Sequence, residues 1–86
     1  MKVKDLIKTL QSADPDTEVI IQADSEGNGY SPCAGAELAI YVPDSSWGGE
    51  VYNLDSNASN NCLEEKEWKK IKENKKNRCV VLWPVN

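Results

Sequence analysis

Glu37-Leu38-Ala39-Ile40-Tyr41-Val42 decides how the rest of the chain is read. As an extended strand it places Leu38, Ile40 and Val42 on one side and Glu37, Ala39 and Tyr41 on the other. The turn-forming run Pro43-Asp44-Ser45-Ser46-Trp47-Gly48-Gly49 follows, and Glu50-Val51-Tyr52-Asn53-Leu54 reads as the next strand. Together they predict a β-hairpin with a long tip, and Asp55 to Asn60 predicts a polar loop beyond it.

Upstream, Thr17 to Ala23 is rich in β-branched residues and predicts a central strand. Ahead of it, Val3, Leu6, Ile7 and Leu10 recur at helical spacing, opposite Lys4, Asp5, Lys8 and Gln11. That helix must stop before Asp14-Pro15, because a residue preceding proline avoids helical dihedrals. Downstream, Asn61-Cys62-Leu63-Glu64 has the form of a capping box. It predicts a second helix from about Cys62 to Asn74, buried through Leu63, Trp68 and Ile71. The positive run Lys69 to Lys76 suits a helix C-terminus. Cys79-Val80-Val81-Leu82-Trp83 predicts a final strand inside the sheet, with Trp68 and Trp83 both as core residues. The predicted order is α-β-β-β-α-β: a single α+β domain over residues 1–86, its sheet mainly antiparallel and its helices on one face.

The 86 residues allow one modest core, and 40% hydrophobic with 28% charged residues is ordinary for a folded chain. No apolar run is long enough to span a membrane and no signal-peptide pattern follows Met1, which predicts a cytoplasmic protein. Net charge is −4. From Ser12 to Leu63 there are nine acidic residues and neither lysine nor arginine, with the basic residues confined to the two ends. An acidic middle argues against nucleic-acid binding and for a protein partner with a basic surface.

The absence of histidine removes the usual Cys/His zinc site and the usual base for a serine or cysteine nucleophile. Cys33, Cys62 and Cys79 are widely spaced and read as reduced thiols. No phosphate-loop signature occurs, and the Glu64-Glu65-Lys66 triplet falls on a predicted helix without a partner carboxylate. The chain is therefore read as non-enzymatic, with no catalytic residue, cofactor or metal assigned.

Asp24-Ser25-Glu26-Gly27-Asn28-Gly29-Tyr30-Ser31-Pro32 is the other informative stretch. Asp24, Glu26 and Asn28 alternate as in the first half of a calcium loop, and Gly29 follows. Gly35 stands where that motif needs its bidentate glutamate, and a strand precedes it in place of a helix. A surface loop is the better reading. Trp47 sits among small residues where a core role is hard to arrange, and aromatics on such tips anchor interfaces. Asp24, Glu26, Asn28, Tyr30, Trp47 and Glu50 are accordingly the expected partner-binding residues. Two alternatives are a small-ligand or divalent-cation binder using the Asp24–Pro32 loop and a structural virion component. Uncovered sheet edges also predict a homodimer.

The opening Met1 to Gln11, with Asp14-Pro15-Asp16-Thr17-Glu18-Val19-Ile20-Ile21, resembles the start of many short phage and prophage proteins. The Asp24–Pro32 loop and the closing Cys79-Val80-Val81-Leu82-Trp83-Pro84 resemble one uncharacterised phage family. The resemblance implies a viral accessory protein that redirects or blocks host machinery, and it implies no particular site residues.

Overall fold

A computed structural model describes residues 1–85. Its elements are α1 (Val3–Leu10), β1 (Ile20–Gln22), β2 (Tyr30–Pro43), β3 (Gly49–Tyr52), α2 (Glu65–Glu73), a 3-10 turn (Lys75–Asn77) and β4 (Arg78–Pro84). The class is α+β and the order matches the α-β-β-β-α-β reading. The four strands form an antiparallel sheet in which β2 pairs with β1, β3 and β4. The chain divides into two compact units, one of Met1–Ala36 with Leu82–Asn86 and one of Glu37–Val81. Both boundaries fall inside strands, within β2 and within β4.

In the first unit, the Asp5 carboxylate accepts from the Lys2 backbone N–H at 3.0 Å and ties off the start of α1. The chain turns at Asp14, whose side chain accepts from the Asp16 N–H at 2.9 Å and whose carbonyl accepts from Thr17. This turn consumes the first residue of the predicted strand. β1 is only three residues long, and it pairs Ile20 with Pro32, Ile21 with Ser31 and Gln22 with Tyr30. It pairs with β2 alone among the described strands, so it is an edge where a central strand was expected. Tyr30 to Gly35, expected as loop, is instead the opening of the 14-residue β2.

Trp83 was expected in the core, but it is 38% exposed. Its ring lies against Gly35, where a Cβ would come within 3.0 Å of Cη2, so the glycine makes the contact feasible. β4 likewise pairs only with β2 among the described strands and is not interior. An unbroken apolar run resembles a doubly covered strand, yet here Val80 and Leu82 remain partly open to solvent.

The second unit holds the buried residues. Ile40, Ala58 and Trp68 form its core, with Val42, Tyr52, Leu54, Leu63 and Ile71 packed around them. The Tyr52 and Trp68 rings meet edge to face at 5.6 Å. α2 thus packs across the β2–β3 hairpin through Trp68, as its apolar spacing requires. The hairpin register sets Ile40 opposite Tyr52 and Val42 opposite Glu50.

Three details depart from the sequence reading. Ala39 and Ile40 are both buried, so the strand's two faces are covered at this point, while Leu38 is 68% exposed. Ala58, inside the polar loop, fills a core position. The Asn61–Glu64 capping box does not form. Cys62 has φ 57°, which interrupts any right-handed helix, and the Asn61 side-chain amide donates to Ser56 Oγ at 2.9 Å. The Leu63 N–H bonds to the Ala58 carbonyl, and α2 begins only after Glu64.

Candidate functional site

The six residues expected to meet a partner fall on two hairpin tips, one in each unit. Asp24, Glu26 and Asn28 belong to the β1–β2 connection, and Tyr30 opens β2 directly after it. Trp47 and Glu50 belong to the β2–β3 hairpin.

The first tip is built around Asp24. One carboxylate oxygen accepts from the backbone N–H groups of Glu26 at 2.9 Å and Asn28 at 3.3 Å. The other accepts from the Asn28 side-chain amide at 2.8 Å. The Asp24 carbonyl takes the Gln22 side-chain amide at 2.6 Å and the Gly27 N–H at 3.2 Å. Ala23 N–H to Gly29 carbonyl closes the base of the loop at 2.7 Å. Gly27 adopts φ 75°, and a Cβ there would stand 2.8 Å from the Tyr30 hydroxyl. The Tyr30 ring therefore leans across the loop with its outer face open, 67% exposed.

These contacts give the Asp24 and Asn28 side chains a role in building the loop. Donation from the Asn28 side chain is the chief cause that holds the Asp24 carboxyl below its ordinary value, followed by the backbone N–H groups of Asn28, Glu26 and Gly27. Asp24 is a loop-building residue. The Glu26 side chain, by contrast, is exposed on the surface of that loop. Among the described residues no group of three or more Cys, Asp or Glu side chains is placed to hold a metal.

The second tip is also locked from within. Asp44 and Ser45 N–H groups both bond to the Gly48 carbonyl, at 3.0 and 3.2 Å. Ser45 Oγ accepts from the Trp47 N–H at 3.3 Å. Trp47 is held at the backbone while its indole stands 89% exposed. Glu50 is exposed on β3, beyond the turn. An ordered backbone carrying an uncovered indole is suited to binding, since little loop entropy remains to be lost on contact.

A hollow of about 600 Å³ in the second unit was not foreseen from the sequence; it lies beside Leu38, Leu54, Glu37 and Asp55. Leu38, on its wall, is 68% exposed. Period-two alternation puts Leu38 on the same side as Ile40, but the cover that Trp68 gives Ile40 does not extend to it. Nothing in the local pattern distinguishes the two leucine-like positions.

What the fold and these tips define is a small α+β protein with two internally braced hairpin tips, one in each unit, each with an exposed aromatic and an exposed carboxylate. Comparison with protein-family models, with curated proteins and with solved structures returns no match to this chain. Among the described residues, no helix is long and apolar enough to cross a membrane.

Proposed function

We propose that the protein is a non-enzymatic phage accessory protein that binds a host or phage macromolecule with a basic surface through its acidic, aromatic-bearing tips. The exposed Trp47 indole on a hydrogen-bonded turn is the observation that carries this reading. A monomer gains nothing by displaying tryptophan to water, whereas interfaces draw much of their affinity from such anchors. Glu26 and Glu50 add negative charge that favours encounter with a basic partner. The resemblance of the Asp24–Pro32 loop and the closing strand to a phage family is the ground for the viral part of this reading, and a phage-encoded protein of this kind would act in the host cytoplasm.

The test is capture from bacterial lysate by wild type, Glu26→Lys, Glu50→Lys and Trp47→Ala in parallel. Glu26→Lys is preferable to any change at Asp24, which would also dismantle the loop. A partner retained by wild type should weaken by about 30-fold with Trp47→Ala, the loss expected for an aromatic hot spot. The charge reversals should weaken it further at low salt. Identical partner profiles for all four proteins would overturn the proposal.

A further inference from the structure

The hollow of about 600 Å³ in the second unit has a mixed lining drawn from three segments that folding brings together. Glu37 and Leu38 come from β2, Asn53, Leu54 and Asp55 from the chain just after β3, and Asn60 from the loop beyond. The carboxylates of Glu37 and Asp55 and the side-chain amides of Asn53 and Asn60 make no hydrogen bond or ion pair with another described residue. The backbone that carries them is held. Ser56 Oγ donates to the Asn53 carbonyl at 2.7 Å and accepts from the Asn61 side-chain amide at 2.9 Å. The lining thus has two negative charges and no positive one, and neither lysine nor arginine occurs from Ser12 to Leu63.

We propose that this hollow receives the side chain of an arginine presented by a basic protein segment. The charge of the lining calls for a cation and opposes phosphate. A bare metal ion would need several converging oxygens, and no group of three or more Cys, Asp or Glu side chains is so placed among the described residues. Leu38 and Leu54 suit an occupant with an apolar stem. Arginine has that stem, together with five N–H donors spread over a planar head, enough to engage carboxylates and amide carbonyls on separate segments. Lysine offers a compact ammonium that water holds more tightly. The volume lies within the span of ligand sites, roughly 300–1,000 Å³, and leaves room for the backbone on either side of the arginine. Neither hairpin tip lines the hollow, so the site is separate from the one proposed above and shares with it only the basic character of the partner.

Titration of the full chain with the blocked tripeptide acetyl-Gly-Arg-Gly-amide, followed by methyl and side-chain amide NMR, tests the proposal. The Leu38 and Leu54 methyls and the Asn53 and Asn60 amides should shift together and saturate, with a dissociation constant of about 1 mM. Binding should weaken as salt rises. The matching citrulline peptide, which keeps the shape and lacks the charge, should give no saturable shift. Glu37→Gln/Asp55→Asn should weaken the arginine peptide by about tenfold. Near-ultraviolet circular dichroism from the Tyr52–Trp68 pair checks that this protein stays folded. Trp47→Ala and Glu26→Lys should bind the peptide as wild type does, which separates this site from the tips. Absence of any saturable shift in wild type overturns the proposal. Equally tight binding of the citrulline peptide, of the lysine peptide or of methylguanidine, which has no stem, also overturns it. So does binding that survives Glu37→Gln/Asp55→Asn unchanged or is lost with Trp47→Ala.

Discussion

At the scale of single residues, Asp24 shows how one carboxylate can organise a whole loop through the donors it accepts from. Alternating oxygen-bearing residues resemble half a cation loop; in the fold, those of Asp24 serve the protein's own donors. The consequence is a pH dependence of definite sign. Because its folded value is depressed, Asp24 contributes to loop stability fully above its ordinary value of 3.8. That contribution is lost as pH falls through the lower folded value. In an NMR titration, the Asn28 side-chain amide and the Glu26 and Asn28 backbone amides should shift together with a midpoint below 3.8. Asp24→Asn should abolish the common transition. A midpoint above that value would contradict the hydrogen-bonded loop.

At the scale of elements, the β2–β3 hairpin was legible and its strand limits were not. The alternation in Glu37–Val42 and the turn residues after Pro43 suffice to predict the pairing. The inclusion of Tyr30–Gly35 in β2 depends on β1 and the end of the chain being there to pair with it, as when the Pro32 carbonyl accepts from the Val85 N–H just past β4. α2 tells a similar story: the Leu63, Trp68 and Ile71 spacing was sufficient for its buried side, yet the left-handed Cys62 moved its start. Gly49 is the position on which the hairpin most depends. A Cβ there would run into the Val42 carbonyl oxygen and come within 2.6 Å of the Pro43 Cα, both backbone atoms that cannot step aside. Gly49→Ala should therefore destabilise the fold by about 1–3 kcal/mol, the usual cost of forced overpacking. Chemical denaturation monitored by circular dichroism would measure it, and an unchanged midpoint would show that the tip can close another way.

At the scale of the whole molecule, burial is unevenly shared. Ala39, Ile40, Ala58 and Trp68, the described residues that are buried, all belong to Glu37–Val81. Local opening free energy follows buried contact, so hydrogen exchange should be slowest at the amides of Ile40, Val42 and the central turn of α2. Equal protection across α1 and α2 would contradict that distribution. Local pattern by itself determined the α+β class, the order of elements, the hairpin, the apolar side of α2 and the exposure of Trp47, because each rests on periodicity or turn chemistry within a few residues. Only the tertiary structure decided that β1 and β4 are edges, that Ala58 is core while Trp83 is half open, and that the Asp24 carboxylate is already engaged. Those outcomes depend on which neighbour covers a side chain or accepts a hydrogen bond, and such neighbours are brought together by folding rather than by adjacency in the chain.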